Sequence, residues 1–494
     1  MSLTTIRQLY PPSQYEVTAI MADDSARRIH LPERVAVLNV GLGMFADAVR
    51  AQGAPVVEVD WHLPAHGDPQ LVEALTRLYG RLGERVEAAN LEVIRRLEES
   101  SPRVVGVSSA HSAIPGVDER TVLHCGPPLA WEEFCGPLRR SVYATVMAEG
   151  WAESAGEADS LVARGEVILD EANRHSTVAP MATTVGPSTA VFIVENPQGG
   201  NQSFSPINQG PGRMPWFGVD SKHAVQHLIW LRERASPVLD ATIRAAGPMD
   251  LFPLIAQGLL MGDDVHMRSQ ATTNLLWRTL LPHLVGLEDP HAVEVARFLS
   301  ANHLFFLNLA MAAAKAAADW ASLVPGSSVV TAMARNGTTF GLKLSGTGQR
   351  WFTAPAPAIA DALYHPGFGP EVAAPDIGDS AVLELVGLGG AAAAASPAVA
   401  NFLGGTMDAA VATTEAADSI CAGRSRRLQL GFLDFRGSPI GVDVRRVVEL
   451  GVTPAINTGI LHATEPVGQI GAGIAHAPLD CFRQALLALD ELLQ

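Results

Sequence analysis

The chain has 494 residues, a formal net charge of −16 and 48% hydrophobic residues, enough for large apolar cores. The acidic balance argues against a nucleic-acid backbone or an anionic membrane as the main partner, yet local arginines can still bind a small anionic substrate. Four scattered cysteines, Cys125, Cys135, Cys421 and Cys481, form no CxxC pair, which gives no zinc signature and fits a reduced cytoplasm.

Residues 35–40 read as a buried strand. Gly41-Leu42-Gly43 breaks it, a helix runs from Met44 to Gln52, and Val56 to Asp60 is a second strand. A third strand at 104–107 follows the charged helix around Glu84–Glu99. Together these predict an N-terminal Rossmann-like parallel sheet within residues 1–125. Residues 126–220 read as a mixed α/β segment, with a strand at 190–195 and a long polar loop from Asn196 to Gly212. Loops of that length are often functional. Residues 221–324 read as a helical domain, and 325–494 as a C-terminal α/β domain of short strands, glycine turns and helices. The expected fold class is therefore α/β and multidomain. The N-terminus lacks the apolar core of a signal peptide, and the apolar run near 303–321 carries His303, Asn308, Lys315 and Asp319. A cytoplasmic chain without a membrane span is expected.

Only three lysines occur: Lys222, Lys315 and Lys343. Lys315 lies in an Ala-rich helical run, where an ammonium is expensive to desolvate without a partner or a task. At helical spacing it shares a face with Asn308, Met311 and Asp319. That face is either one wall of a polar cleft or a solvated stripe with an ordinary ion pair. Asp263 and His266, three apart, suit acid–base work if a carboxylate orients the imidazole; a capped helix start is the alternative. No third ligand for a metal is evident beside them. Arg335-Asn336-Gly337 ends a strand, where a guanidinium either grips an anion or ties down its own loop. Asp376 and Asp379 flank Gly378, while Asp434 with Arg436 and Asp443 with Arg445 are spaced for structural pairing as well as for chemistry. Asn457-Thr458-Gly459 offers backbone amides for an anion nest. Gly41-x-Gly43-x-x-Ala46, with Asp60 at the end of the next strand, fits a dinucleotide fingerprint with NAD as its cofactor; otherwise the glycines only make the turn. P-loop, Gly-x-Ser-x-Gly and His-Glu-x-x-His motifs are missing.

Several stretches taken together resemble a known family. They are Ala-Met-Ala-Arg335-Asn336-Gly337, Trp351-Phe-Thr-Ala-Pro-Ala-Pro, Pro375-Asp-Ile-Gly-Asp379-Ser, Asp434-Phe-Arg436-Gly, Asn457-Thr-Gly459 and Thr121-x-Leu-His124-x-Gly-Pro-Pro. With Val40-Gly-Leu and Val59-Asp60-Trp61, they resemble the bacterial YlbE/AllG-like family over about residues 30 to 490. The resemblance implies a subunit of oxamate carbamoyltransferase, working with an FdrA-like subunit and a third subunit in allantoin breakdown. The implied chemistry interconverts oxalurate plus phosphate with oxamate plus carbamoyl phosphate, or acts on a related small amide in a paralogue. A homo-oligomer is compatible with this reading. Carbamoyl transfer needs cationic grips and oxyanion donors. Arg335, Arg436 and Lys315 are the expected anion grips. Asn308, Asn336 and amides near Gly459 are the expected oxyanion donors. His266, oriented by Asp263, is the expected proton carrier, and Asp379, Asn457 and Thr458 complete the expected substrate site. An NAD-binding oxidoreductase and a non-catalytic partner of an FdrA-like ligase-fold subunit are the competing readings.

Overall fold

The computed structural model describes residues 36–59, 63–359 and 361–494. The chain divides into two compact units between Gly67 and Asp68. In the first, β1 (Val37–Val40) and β2 (Val56–Val59) pair in parallel around α1 (Gly43–Ala51), with Val37 opposite Val56. Gly41 turns the chain between strand and helix at a φ of +133°, which only glycine adopts freely. The Gly41–Gly43 turn therefore forms where expected. Asp60, its proposed ribose partner, lies outside the described residues.

The expected third parallel strand joins a different sheet. β3 (Arg103–Ser109) pairs antiparallel with β7 (Ala190–Asn196) and β9 (Met249–Asp250). With β8 (Asn201–Pro206) they form a four-stranded sheet in the order β8-β7-β3-β9. The β1–β2 sheet has two strands, so the described residues contain no multi-stranded Rossmann sheet. The physical reason is that β3 finds its hydrogen bonds on a hairpin about ninety residues later in the chain. Strand propensity names a strand but not its neighbour.

The second unit is a mixed α/β body of several small sheets. β4 (Thr121–His124) lies between β5 (Ile168–Glu171) and β6 (Thr184–Val185). β10 (Val330–Asn336) and β11 (Thr339–Leu344) form a hairpin, flanked by β12 (Phe352–Pro355) and β14 (Ile377–Gly378). β13 (Asp361–Tyr364) pairs with β18 (Gln469–His476), which pairs with β17 (Ala455–Leu461). β15 (Cys421–Leu430) and β16 (Arg436–Val442) make a two-stranded ribbon.

Helices dominate the centre: α3 (Lys222–Trp230), α4 (Ser236–Ala246), α5 (Leu251–Leu260), α6 (Gln270–Val285), α7 (Ala292–Ala301) and α8 (Phe306–Ala321). α8 is buried almost throughout because its alanines let neighbouring backbones approach closely. Ser203 and Asn201 of β8 donate to its Ala312 and Ala316 carbonyls at 2.6 and 2.9 Å. Phe192 of β7 meets Phe305 edge-on beside it, with centroids 5.7 Å apart. One apolar cluster joins α2 (Gly83–Glu99), the β3–β7 sheet, the central helices and α9 (Val382–Leu385). Each large side chain buried in it contributes ~1.5–3 kcal/mol. The Asp443–Arg445 pair lies at 2.7 Å, with Asn90 of α2 and Glu87 also bonded to it. This is the structural pairing that its spacing allowed. None of the described helices is long and apolar enough to cross a membrane.

Candidate active site

Between α5 and α6 the chain makes a tight, acid-rich turn. Asp263 accepts the amides of Ala271 and Thr272 at 3.1 and 2.7 Å, and the Thr272 hydroxyl at 2.8 Å. It thereby satisfies free N–H groups in the first turn of α6, and it also accepts from Arg268. Asp264 accepts the amides of Met267 and Arg268 at 3.1 and 2.7 Å, and the side-chain amide of Asn457 at 2.6 Å. Val265, between Asp264 and His266, sits at a φ of +61°, a strained conformation for a β-branched residue. These bonds aim His266 inward.

The carboxylate that meets the imidazole is Glu384 of α9, not Asp263. His266 Nδ1 lies 2.7 Å from Glu384 Oε1, and both side chains are buried. The helical spacing of Asp263 and His266 misled because no helix forms there: Asp263 turns to the α6 amides. Glu384 Oε1 also accepts the amides of Gly390 and Asn457 at 3.2 and 3.4 Å, while Oε2 is buried without a hydrogen-bond partner among the described residues. Gly389, at a φ of +57°, lets the backbone pass: a Cβ there would lie 2.1 Å from Glu384 Oε1 and 2.8 Å from His266 Nδ1. With Nδ1 donating to the carboxylate, the neutral ring keeps Nε2 as an acceptor. No described residue bonds to Nε2.

His266 opens on a cavity of about 70 Å³. Trp216, Phe217, Leu304 and Leu307 make its apolar walls, and Ser380, Asn457, Thr458, Gly459 and Gln469 supply polar groups. Met181, also at the wall, holds a left-handed φ of +50°. A second cavity of about 250 Å³ shares Trp216, Phe217, Leu304 and Gln469 with the first and adds Arg213, His303 and His365.

Of the expected site residues, His266, Asn457 and Thr458 meet at this cavity. Thr458 donates to Asp376 at 2.8 Å. The others have structural partners. Arg335 is fully buried and forks onto Asp376 at 2.7 and 3.0 Å, with a third bond of 2.7 Å to the Gly378 carbonyl. Asn336 accepts the amides of Thr338 and Thr339 in its own turn and donates to Pro127. Asn308 is bonded to Asn208 and the Pro206 carbonyl. Lys315 is buried and pairs with Asp319 at 2.5 Å, so the face it shares is an interior one. Lys343 lies 3.7 Å from Glu171 and over the Trp351 ring, and burial lowers its ammonium to about 8. Arg436, on β16, faces Glu415 at 3.9 Å and does not line the cavity.

Asp379 is buried and accepts the amides of Gly126 and Ala179 at 2.8 and 2.9 Å, joining three segments. Burial pushes its carboxyl up to about 7, against the pull of those amides, Arg335 and Lys315. A raised folded value means the neutral form favours folding. That contribution is complete below the unfolded value of about 3.9 and is lost as pH rises to 7. Across that range Asp379 should cost ~1.4 kcal/mol of stability per pH unit. Asp379→Asn should remove this slope from urea midpoints measured between pH 4 and 7; an unchanged slope would place its origin elsewhere.

Glu384, Ser380, Gln469, Met181 and Arg213 were not among the expected residues. A signal existed for Glu384, a lone carboxylate within Ala381-Val-Leu-Glu-Leu-Val386. The desolvation argument that picked out Lys315 applies to it equally.

Residues 167–380 match the family described as "Oxamate carbamoyltransferase subunit AllG". The chain is 42% identical over 411 residues to the oxamate carbamoyltransferase subunit AllG of Escherichia coli strain K12, covering 82% of this chain and 98% of that protein. It is 36% identical over 458 residues to the uncharacterized protein YahG of the same strain, covering 92% and 97%. A crystal structure of a conserved protein of unknown function from Enterococcus faecalis V583 superposes with a TM-score of 0.82 at 34% identity. That match covers 84% of this chain and 99% of the other.

Proposed function

The chain belongs to the AllG family of oxamate carbamoyltransferase subunits, and from that premise we propose that it supplies the acid–base centre for carbamoyl transfer at the His266 cavity. The observation that carries this reading is the His266–Glu384 pair, with Nδ1 on a buried carboxylate and the ring lining a partly polar cavity. A carboxylate so placed sets the tautomer and stabilises the imidazolium that forms when Nε2 takes a proton.

In the direction of phosphorolysis, a phosphate oxygen forms a bond to the ureido carbonyl carbon of oxalurate. The C–N bond to oxamate then breaks. Neutral His266 Nε2 takes the proton of the attacking phosphate, and the imidazolium so formed gives that proton to the leaving nitrogen. The products are carbamoyl phosphate and oxamate. Ser380, whose oxygen lies 3.4 Å from Arg335 Nη1, is positioned to turn its hydroxyl proton toward the developing oxyanion. Gln469 Nε2 spends one bond on the Gly471 carbonyl at 2.9 Å and has a second hydrogen for the same task. If the chain follows the YahG branch, a related small amide replaces oxalurate and the same groups act on it. The family name implies a multisubunit enzyme; an FdrA-like subunit and a third subunit are the proposed partners, in the cytoplasm.

The test is phosphorolysis of oxalurate by the assembled enzyme carrying His266→Gln. Turnover equal to wild type would remove His266 from the chemistry and leave this chain as a non-catalytic partner.

A further inference from the structure

The inner cavity offers a substrate carboxylate no standing positive charge. Glu384 holds His266 at its wall, Asp264 lies behind Asn457, and Asp376 lies behind Thr458. The guanidinium nearby, Arg335, is buried and committed to Asp376 and the Gly378 carbonyl. Apart from His266, the side chains lining the cavity are neutral. A substrate carboxylate placed there, unlike a phosphate that gives its proton to His266, gains no cation and faces carboxylates across a medium that screens poorly. A neutral amide suits it better.

The outer cavity has the opposite character. Arg213 is exposed at its rim and spends one bond, of 2.8 Å, on the Pro466 carbonyl. Its remaining N–H groups have no partner among the described residues. His365 is exposed on the same cavity. The polar stretch expected as one loop from Asn196 to Gly212 instead contains β8, and the segment that follows β8, residues 207–212, leads into Arg213 and places the cation. Trp216, Phe217, Leu304 and Gln469 line both cavities.

We propose that Arg213 is the anion-recognising residue of this cleft. It holds the carboxylate end of a small amide substrate at the mouth, while the neutral carbamoyl or amide end enters the inner cavity against His266. This rests on the reading of the inner cavity as the acid–base centre. The ligand class is a short molecule with a carboxylate at one end and an uncharged amide at the other. A guanidinium matches a carboxylate in a two-bond fork, and the mouth is the place on this cleft where such a fork is free.

The experiment is calorimetric titration of the full chain with oxamate, with its neutral isostere oxamide, and with inorganic phosphate. Wild type should prefer oxamate to oxamide. Arg213→Gln should weaken oxamate by about tenfold or more and leave oxamide unchanged, with Arg213→Lys between them. Because Arg213 is exposed, thermal melting should not move. Equal oxamate affinity in wild type and Arg213→Gln overturns the proposal. So does a wild type that does not favour oxamate over oxamide, including one that binds neither. A loss confined to phosphate overturns the carboxylate assignment. Turnover by His266→Gln separates the two levels. If that variant is inactive while Arg213→Gln binds oxamate normally, the mouth assignment alone fails. If it is fully active, the acid–base reading beneath it fails.

Discussion

Arg335→Ala is expected to lower the stability of the chain by ~3–5 kcal/mol, a large share of the roughly 5–15 kcal/mol typical of a folded domain. Arg335 and Asp376 are both fully buried, and the fork between them bridges β10 to the segment around β14. Truncating the arginine leaves Asp376 with the Thr458 hydroxyl and no opposing charge in contact. It also strips the Gly378 carbonyl of its guanidinium donor. An unpaired buried carboxylate costs more than the intact pair contributes, so the loss exceeds what one ion pair is worth. Urea unfolding should show a clearly lower midpoint for Arg335→Ala. Arg335→Lys, which keeps the charge and loses the fork, should fall between. The sequence pattern alone anticipates the opposite, a stable protein without turnover. An Arg335→Ala variant with a wild-type midpoint and no activity would restore Arg335 as a substrate grip.

Glu384→Gln is expected to reduce turnover by about 10²–10⁴-fold while the protein stays folded. The glutamine oxygen can still accept from His266 Nδ1, so the ring keeps its orientation. What disappears is the negative charge that stabilises the imidazolium. The new amide nitrogen takes the place of Oε2, which already lacks a hydrogen-bond partner among the described residues, so the swap removes a buried charge at little structural cost. His266→Gln should fall by a similar factor. The double variant should be no worse than the poorer single one, because the two residues act as a unit. Additive losses would mean that Glu384 and His266 serve separate purposes.

How much of this was legible in the residues differs from element to element. β1, α1 and β2 were readable from an apolar run, a glycine turn and a second apolar run. The helical stretch from Lys222 onward was readable from its pattern, and the run around Lys315 from its lack of breakers. Lys315 was rightly suspected of having a partner, and Asp319, four residues on, was the partner named. His266, Asn457 and Thr458 were readable as polar residues worth watching, because their chemistry stands out from their neighbours.

What the sequence alone determined was local: which segments become strands or helices, which polar groups sit in apolar runs, and, through motifs in order along nearly the whole chain, the family. Tertiary structure decided the pairings. His266 meets Glu384 118 residues away, and Arg335 meets Asp376 41 residues away. β3 bonds to β7 and not to β1 or β2. Periodicity says which way a side chain points, but the group it meets depends on chain segments brought together by burying apolar surface. That force is non-directional and does not read local spacing. The same contest of burial against charge turned Arg335 from a candidate grip into a strut, and left an exposed arginine at the cleft mouth with donors to spare.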